Sequence, residues 1–196
     1  MRLLITSILI FYSTFIYSQI KSGEYESELK IAYNPDSKII TGYFANYSGY
    51  DESTNNPRFS CIFYIYGFFT GKESIIDTYY PLDDNDTIKG VLKINNSDLI
   101  SIKLPEEHGG CWNVFHFADG FADFKIVKEI NWLEIRYINV DKSYFYNDTN
   151  ANSQRKAYLI KGDIIYIEKI KGEWVYCKYF GKSITEGWMK KETINN

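Results

Sequence analysis

From residue 24 to residue 127 apolar and polar positions alternate in short runs broken by turn-forming residues, a pattern of strands rather than of helices. Glu28 to Tyr33 sets Leu29, Ile31 and Tyr33 on one face and Glu28 and Lys30 on the other, and Asn34-Pro35-Asp36-Ser37 then reads as a turn. Further strands are predicted over Ile39 to Asn46, Phe59 to Phe69, Ile75 to Tyr80, Ile88 to Ile94, Leu99 to Leu104, Cys111 to Phe117 and Phe121 to Val127. Phe59 to Phe69 is apolar or aromatic at nearly every position, as in a central strand covered on both sides. Between the strands, Ser48 to Arg58 reads as an exposed loop, and Asp83 to Asp86, Asn95 to Asp98 and His108-Gly109-Gly110 read as turns. About eight short strands at roughly 8 to 12 residue spacing predict an antiparallel β-sandwich or small barrel over residues 19–128.

After a connector at Lys128 to Asn131 the alternation resumes. Trp132 to Tyr137 opposes Leu133, Ile135 and Tyr137 to Trp132, Glu134 and Arg136. Lys142 to Asn147 leads into a polar loop, Asp148 to Lys156. Ala157 to Ile167 is broken by Lys161-Gly162-Asp163, where Gly162 permits a tight turn and Asp163 is expected to bond its own backbone two residues on. A Lys171-Gly172 turn, Glu173 to Tyr179 and a closing Gly187-Trp188-Met189 follow. Period two places Val175 and Cys177 inward and Trp174 and Tyr176 outward, which makes Cys177 a small buried hydrophobe.

This order of elements over residues 132–194 resembles the bacterial Src-homology-3-like domain, a small five-stranded barrel. The resemblance implies a ligand groove between the long first loop and the hairpin, built here from Tyr144, Tyr146, Tyr158, Trp174 and Trp188. It also implies a cell-wall (peptidoglycan) peptide or a protein segment as the ligand. Where the family commonly carries Asn-x-Arg this chain has Ser143-Tyr144-Phe145-Tyr146-Asn147, so ligands held by that Arg are not carried over. The whole chain is then expected to be all-β, an N-terminal sandwich or barrel followed by a Src-homology-3-like β-barrel.

Composition sharpens this picture. Aromatic residues make up 18% of the 196 residues, a surplus beyond what an ordinary core needs. A formal net charge of -3 provides no basic field for a phosphate backbone and excludes nucleic acid as an expected partner. Met1-Arg2, an apolar run and a small closing residue at Ser18 read as a signal peptide over residues 1–18, with Gln19 first in the mature chain. No later stretch is long and apolar enough to span a membrane, so the expected location is periplasmic or extracellular.

In that oxidising space the three cysteines allow one bridge, expected between Cys61 and Cys111, with Cys177 left free. Candidate chemistry is sparse. His108, Cys111, Asn113, His116 and Asp119 supply the residue types of a thiol-imidazole hydrolase, but Gly109-Gly110 reads as a hairpin turn and Cys111 has a disulfide partner. The same residues lack the ligand count and spacing of a zinc site. A calcium loop starting at Asp83 would need Gly where Ile88 stands, and Gly67 to Lys72 has the wrong spacing for a phosphate loop. No metal or cofactor is therefore expected. The function expected first is non-enzymatic binding through the C-terminal aromatic groove. An inhibitor or immunity protein that plugs a secreted hydrolase or toxin with a loop such as Ser48 to Arg58 comes second, and a hydrolase using Cys111 third.

Overall fold

The computed structural model describes residues 20–195, and the predicted signal peptide, residues 1–18, lies outside them. Eight strands follow one another as antiparallel neighbours: β1 (Gly23–Tyr25), β2 (Leu29–Asn34), β3 (Ile39–Tyr50), β4 (Pro57–Phe68), β5 (Glu73–Tyr80), β6 (Asp83–Asn96), β7 (Leu99–Lys103) and β8 (Ala122–Glu129). The sheet closes because β1 pairs β8 as well as β2, with Gly23 opposite Glu129. Of the sandwich and the barrel, the chain forms the barrel. Closure leaves no edge and gives every second side chain a place inside. Leu29, Ile31, Ile40, Ile65, Ile76, Leu92 and Ile102 fill that interior. Phe44, Phe63, Phe117 and Phe124 join them, with ring centroids 5.1 to 6.3 Å apart.

Two predicted elements are corrected. Cys111 to Phe117 is not a strand: Cys111–Asn113 is a single 3-10 turn within the segment joining β7 to β8. Its apolar spacing mimics a strand because Phe115 and Phe117 drop from irregular backbone onto Phe44. The eighth strand is instead β1, at three residues too short to show a period. Asp83 to Asp86 is likewise no turn but the start of β6, with Asp83 opposite Tyr80 and the reversal made by Pro81-Leu82, where Leu82 takes φ 74°. The exposed side chains of Asp83 and Asp86 are compatible with a strand, because polarity at the surface does not oppose an extended backbone.

Six more strands form a second sheet: β9 (Glu134–Tyr137), β10 (Lys142–Tyr146), β11 (Gln154–Ile160), β12 (Ile164–Lys171), β13 (Trp174–Phe180) and β14 (Ile184–Lys190), in the order β11-β10-β14-β13-β12-β9. Phe145, Leu159, Ile165, Ile167, Val175, Cys177 and Met189 form its core. Val175 and Cys177 are buried and Trp174 and Tyr176 half-buried, as period two requires. At the Lys-Gly-Asp turn Gly162 has φ 92°, but the Asp163 carboxylate accepts from the Ile160 amide at 2.8 Å, three residues back rather than two ahead.

β9 departs from simple alternation, since all four of its residues are buried. It lies against the outer surface of β3 and β4, where the Ile135 amide donates to Thr41 Oγ1 at 2.7 Å and the Tyr64 hydroxyl donates to the Ile135 carbonyl at 2.9 Å. Trp132, Ile135, Tyr166 and Ala32 make a small apolar cluster in this seam. Tyr64 is the outward residue that gives the predicted central strand β4 a second covered face.

Candidate functional site

The outer face of the second sheet gathers the aromatic residues that its core leaves unused. Tyr146 on β10 stands opposite Trp188 on β14, which stands opposite Tyr176 on β13. The Tyr176 and Trp188 rings meet edge-on at 5.5 Å, and Trp174 meets Tyr146 at 4.9 Å and 79°. Edge-to-face contacts fix ring orientation before any ligand arrives. Tyr144 and Tyr158 form their own pair across β10 and β11, with ring centroids 5.7 Å apart.

Of the five residues expected to form the groove, the structure thus brings together Tyr146, Trp174 and Trp188, and sets Tyr144 and Tyr158 beside each other further along the sheet. Tyr146 is only 7% exposed, so it supports Trp174 more than it offers surface. Trp188 lies on the outer face while its neighbour Met189 fills the core.

Two depressions flank the rings. One of about 390 Å³ is lined by Tyr146, Asn147, Arg155, Tyr176, Thr185, Glu186 and their neighbours, and one of about 210 Å³ lies among Glu173, Trp174, Lys190 and Glu192. Lysine ammonium groups sit over two rings, Lys142 at 4.7 Å from the Tyr158 centroid and Lys169 at 5.4 Å from that of Tyr176. Partial burial and the Glu186 carboxylate, which takes a hydrogen bond from Tyr176, hold the Tyr176 hydroxyl above its ordinary pKa. Sequence reasoning left Tyr176 and Arg155 out of the groove. Tyr176 shares the period of Trp174 and was legible from it, whereas Arg155, read as part of a polar loop over Asp148 to Lys156, lies in β11, which begins at Gln154, and nothing local shows that its guanidinium reaches the Glu186 carbonyl.

The residues with hydrolase chemistry do not converge. Cys61 and Cys111 are joined in a disulfide. His108 is buried, stacked on Phe63 at 5.0 Å, with Nε2 2.8 Å from Thr78 Oγ1, and burial lowers its pKa. His116 lies on the surface, 3.9 Å from Asp119. Cys177, the free cysteine, is buried, and desolvation pushes its thiol far above the ordinary range. A thiol held protonated inside a core is a poor nucleophile.

A second feature is geometric. β3 pairs β2 only as far as Phe44, and β5 pairs β4 only from Tyr64 onward, yet β3 and β4 stay paired out to Tyr50 and Pro57. The remainder is a two-stranded arm that spans about 20 Å beyond those pairings. The predicted loop from Ser48 to Arg58 is thereby shortened to residues 51–56. Asp51 organises the tip: its carboxylate accepts from the Ser53 amide at 2.9 Å and the Ser53 hydroxyl at 2.5 Å, and pairs with Arg58 at 3.0 Å. These bonds hold its pKa well below the usual carboxylate value.

The disulfide clamps the segment after Gly110 onto this arm, and Ser48 Oγ donates to the Asn113 carbonyl at 2.6 Å. Gly110, at φ 85°, is required there, because a Cβ would run into the Ser60 carbonyl oxygen. Tyr50, Phe59 and Trp112, the last 60% exposed, are left at the surface of the clamped arm.

No family model matches this chain, and no curated protein or solved structure is significantly similar to it. Among the described residues no helix is long and apolar enough to cross a membrane.

Proposed function

We propose that the protein is exported and acts as a non-enzymatic binding protein, its second sheet a Src-homology-3-like module that takes a cell-wall peptide or a protein segment. One observation carries the reading. Trp174, Tyr176 and Trp188 lie on the outer face of a sheet whose inner face is already filled by Val175, Cys177 and Met189. Rings held at the surface beside a recess supply contact area at little entropic cost, and an extended peptide docked along them removes apolar area from water. The disulfide supports an oxidising compartment. Co-sedimentation with purified peptidoglycan tests the proposal. Trp174→Ala is expected to weaken binding by about 2 kcal/mol, roughly thirtyfold, with the circular dichroism spectrum unchanged. Unchanged affinity in both Trp174→Ala and Trp188→Ala, with the fold intact, would remove the aromatic face as the site.

The arm supports a second reading, that of an inhibitor. A paired hairpin that extends beyond its neighbouring strands and carries exposed aromatic side chains suits insertion into the cleft of an enzyme. On this reading the protein lowers the muralytic activity of the proteins secreted with it, measured as clearing of a peptidoglycan suspension. Tyr50→Ser combined with Trp112→Ser is expected to abolish that inhibition and leave peptidoglycan binding in place. Inhibition that survives the double substitution would dismiss the arm.

A further inference from the structure

Charge is divided unevenly along the chain. Between residues 20 and 131 there are 10 Lys and Arg against 17 Asp and Glu, and between residues 132 and 195 there are 11 against 8. The anionic character of the protein therefore resides in the barrel, and the second sheet is cationic.

The cations of the second sheet are not equivalent. Lys178 lies 2.7 Å from Glu168 and 3.7 Å from Glu186, and Lys190 lies 3.3 Å from Glu192, so these charges are met by carboxylates. Arg155 makes no ion pair among the described residues. Its Nη1 donates to the backbone carbonyl of Glu186 at 2.6 Å, and its guanidinium carbon stands 5.7 Å from the centre of the Phe145 ring. A carbonyl and a ring hold the group in position without neutralising it, and a guanidinium has further N–H donors in a planar fork that matches a carboxylate.

The backbone is shaped to let Arg155 sit there. A Cβ at Gly187 would stand 3.1 Å from Arg155 Nη1 and 3.0 Å from the Tyr146 carbonyl oxygen, so a side chain at that position would crowd the guanidinium. Arg155 borders the recess of about 390 Å³ together with Tyr146, Asn147, Tyr176 and Thr185, of which the Asn147 amide and the Thr185 hydroxyl add donors, the Tyr146 hydroxyl being given to Gln154 and that of Tyr176 to Glu186. The Glu186 carboxylate also borders this recess, bonded by Tyr176 and 3.7 Å from Lys178, an ammonium it shares with Glu168.

We propose that this recess is a carboxylate-binding site, in which Arg155 anchors a carboxylate of the bound peptide while the peptide chain runs over Tyr176 and Trp188. The proposal rests on the reading of this face as a peptide-binding surface and adds the chemistry that the ligand must carry. Both a Glu or Asp side chain and a free chain terminus supply that group.

The test uses the full mature chain, isotopically labelled, with the Arg155 Nε–Hε signal followed by NMR. Three acetylated alanine-based pentapeptides serve as probes: one with a central Glu and an amidated end, one with a central Gln and a free terminal carboxylate, and one with a central Gln and an amidated end. The expected result is a saturable shift with one or both carboxylate peptides and none with the neutral one, and whichever peptide binds identifies the source of the carboxylate. With the variants followed by the Trp188 indole N–H signal, Arg155→Gln should weaken that binding about tenfold or more, and Arg155→Lys, which keeps the charge but not the fork, should fall between. A neutral peptide that moves the Arg155 signal equally, or carboxylate peptides that leave it in place up to about 10 mM, would overturn the site. If the carboxylate peptides bind and peptidoglycan does not, the recess stands and the cell-wall reading falls.

Discussion

Replacing Cys61 and Cys111 together by alanine is expected to lower the unfolding free energy by about 4 kcal/mol. The bridge closes a sequence separation of 50 residues, spanning β5, β6 and β7, and both cysteines are fully buried. Without the link the unfolded chain regains the freedom that a loop of this size withholds, which is the larger part of the loss in the chain-entropy account. The folded state loses something as well. The segment that carries Phe115 and Phe117 into the barrel has almost no regular structure of its own, and the Cys61 bond ties it to the arm. Urea denaturation of the oxidised protein and the double alanine variant measures the difference, and hydrogen exchange in residues 105–121 should show the largest local loss of protection. A change below about 1 kcal/mol would mean that the packing of Phe115 and Phe117 on Phe44, and not the bridge, holds the segment down.

Glu134→Ala is expected to cost about 3 to 5 kcal/mol, close to the loss of the disulfide although it removes only one carboxylate. Glu134 is buried in the seam between the barrel and the second sheet. One of its oxygens accepts from Asn34 Nδ2 on the barrel at 2.9 Å, and the other from Arg136 Nε at 2.8 Å. Arg136 is itself buried, with its guanidinium carbon 5.6 Å from the Tyr66 ring centre. Removing the carboxylate leaves a cation in low dielectric with no countercharge, and that uncompensated charge accounts for most of the cost. The paired substitution Glu134→Leu with Arg136→Met removes both charges and is expected to cost far less than Glu134→Ala alone. Equal losses in the two variants would show that packing at the seam, and not the ion pair, sets the energy. Since the bond from Asn34 crosses between the sheets, Glu134→Ala should also separate their unfolding transitions when barrel and second-sheet probes are followed independently.

Much of this architecture is local in origin. The period-two runs of Leu29, Ile31 and Tyr33, and of Val175 and Cys177, bury one face wherever they pair, so strand positions and the all-β class are read directly from them. The odd cysteine count, together with the division of the chain near residue 130, points to the bridge that forms. Composition marks the aromatic surplus, and alternation names Trp174 as one of the rings placed outside.

Other features depend on partners distant in the chain. Phe115 and Phe117 have strand-like spacing but no neighbouring ladder, so the core that receives them, and not their period, decides their conformation. The acidic start of β6 reads as a turn because polarity records exposure to water and says nothing of backbone pairing. β9 is buried on both faces because a barrel strand over 90 residues earlier supplies Thr41 to its backbone. Arg155 reads as one cation in a polar loop until the fold sets it over Phe145 and beside Gly187. Local pattern determined which residues form strands and which rings are spare. Only tertiary structure decided which charges are left unmatched, because compensation depends on distances of a few ångströms between residues far apart in the sequence.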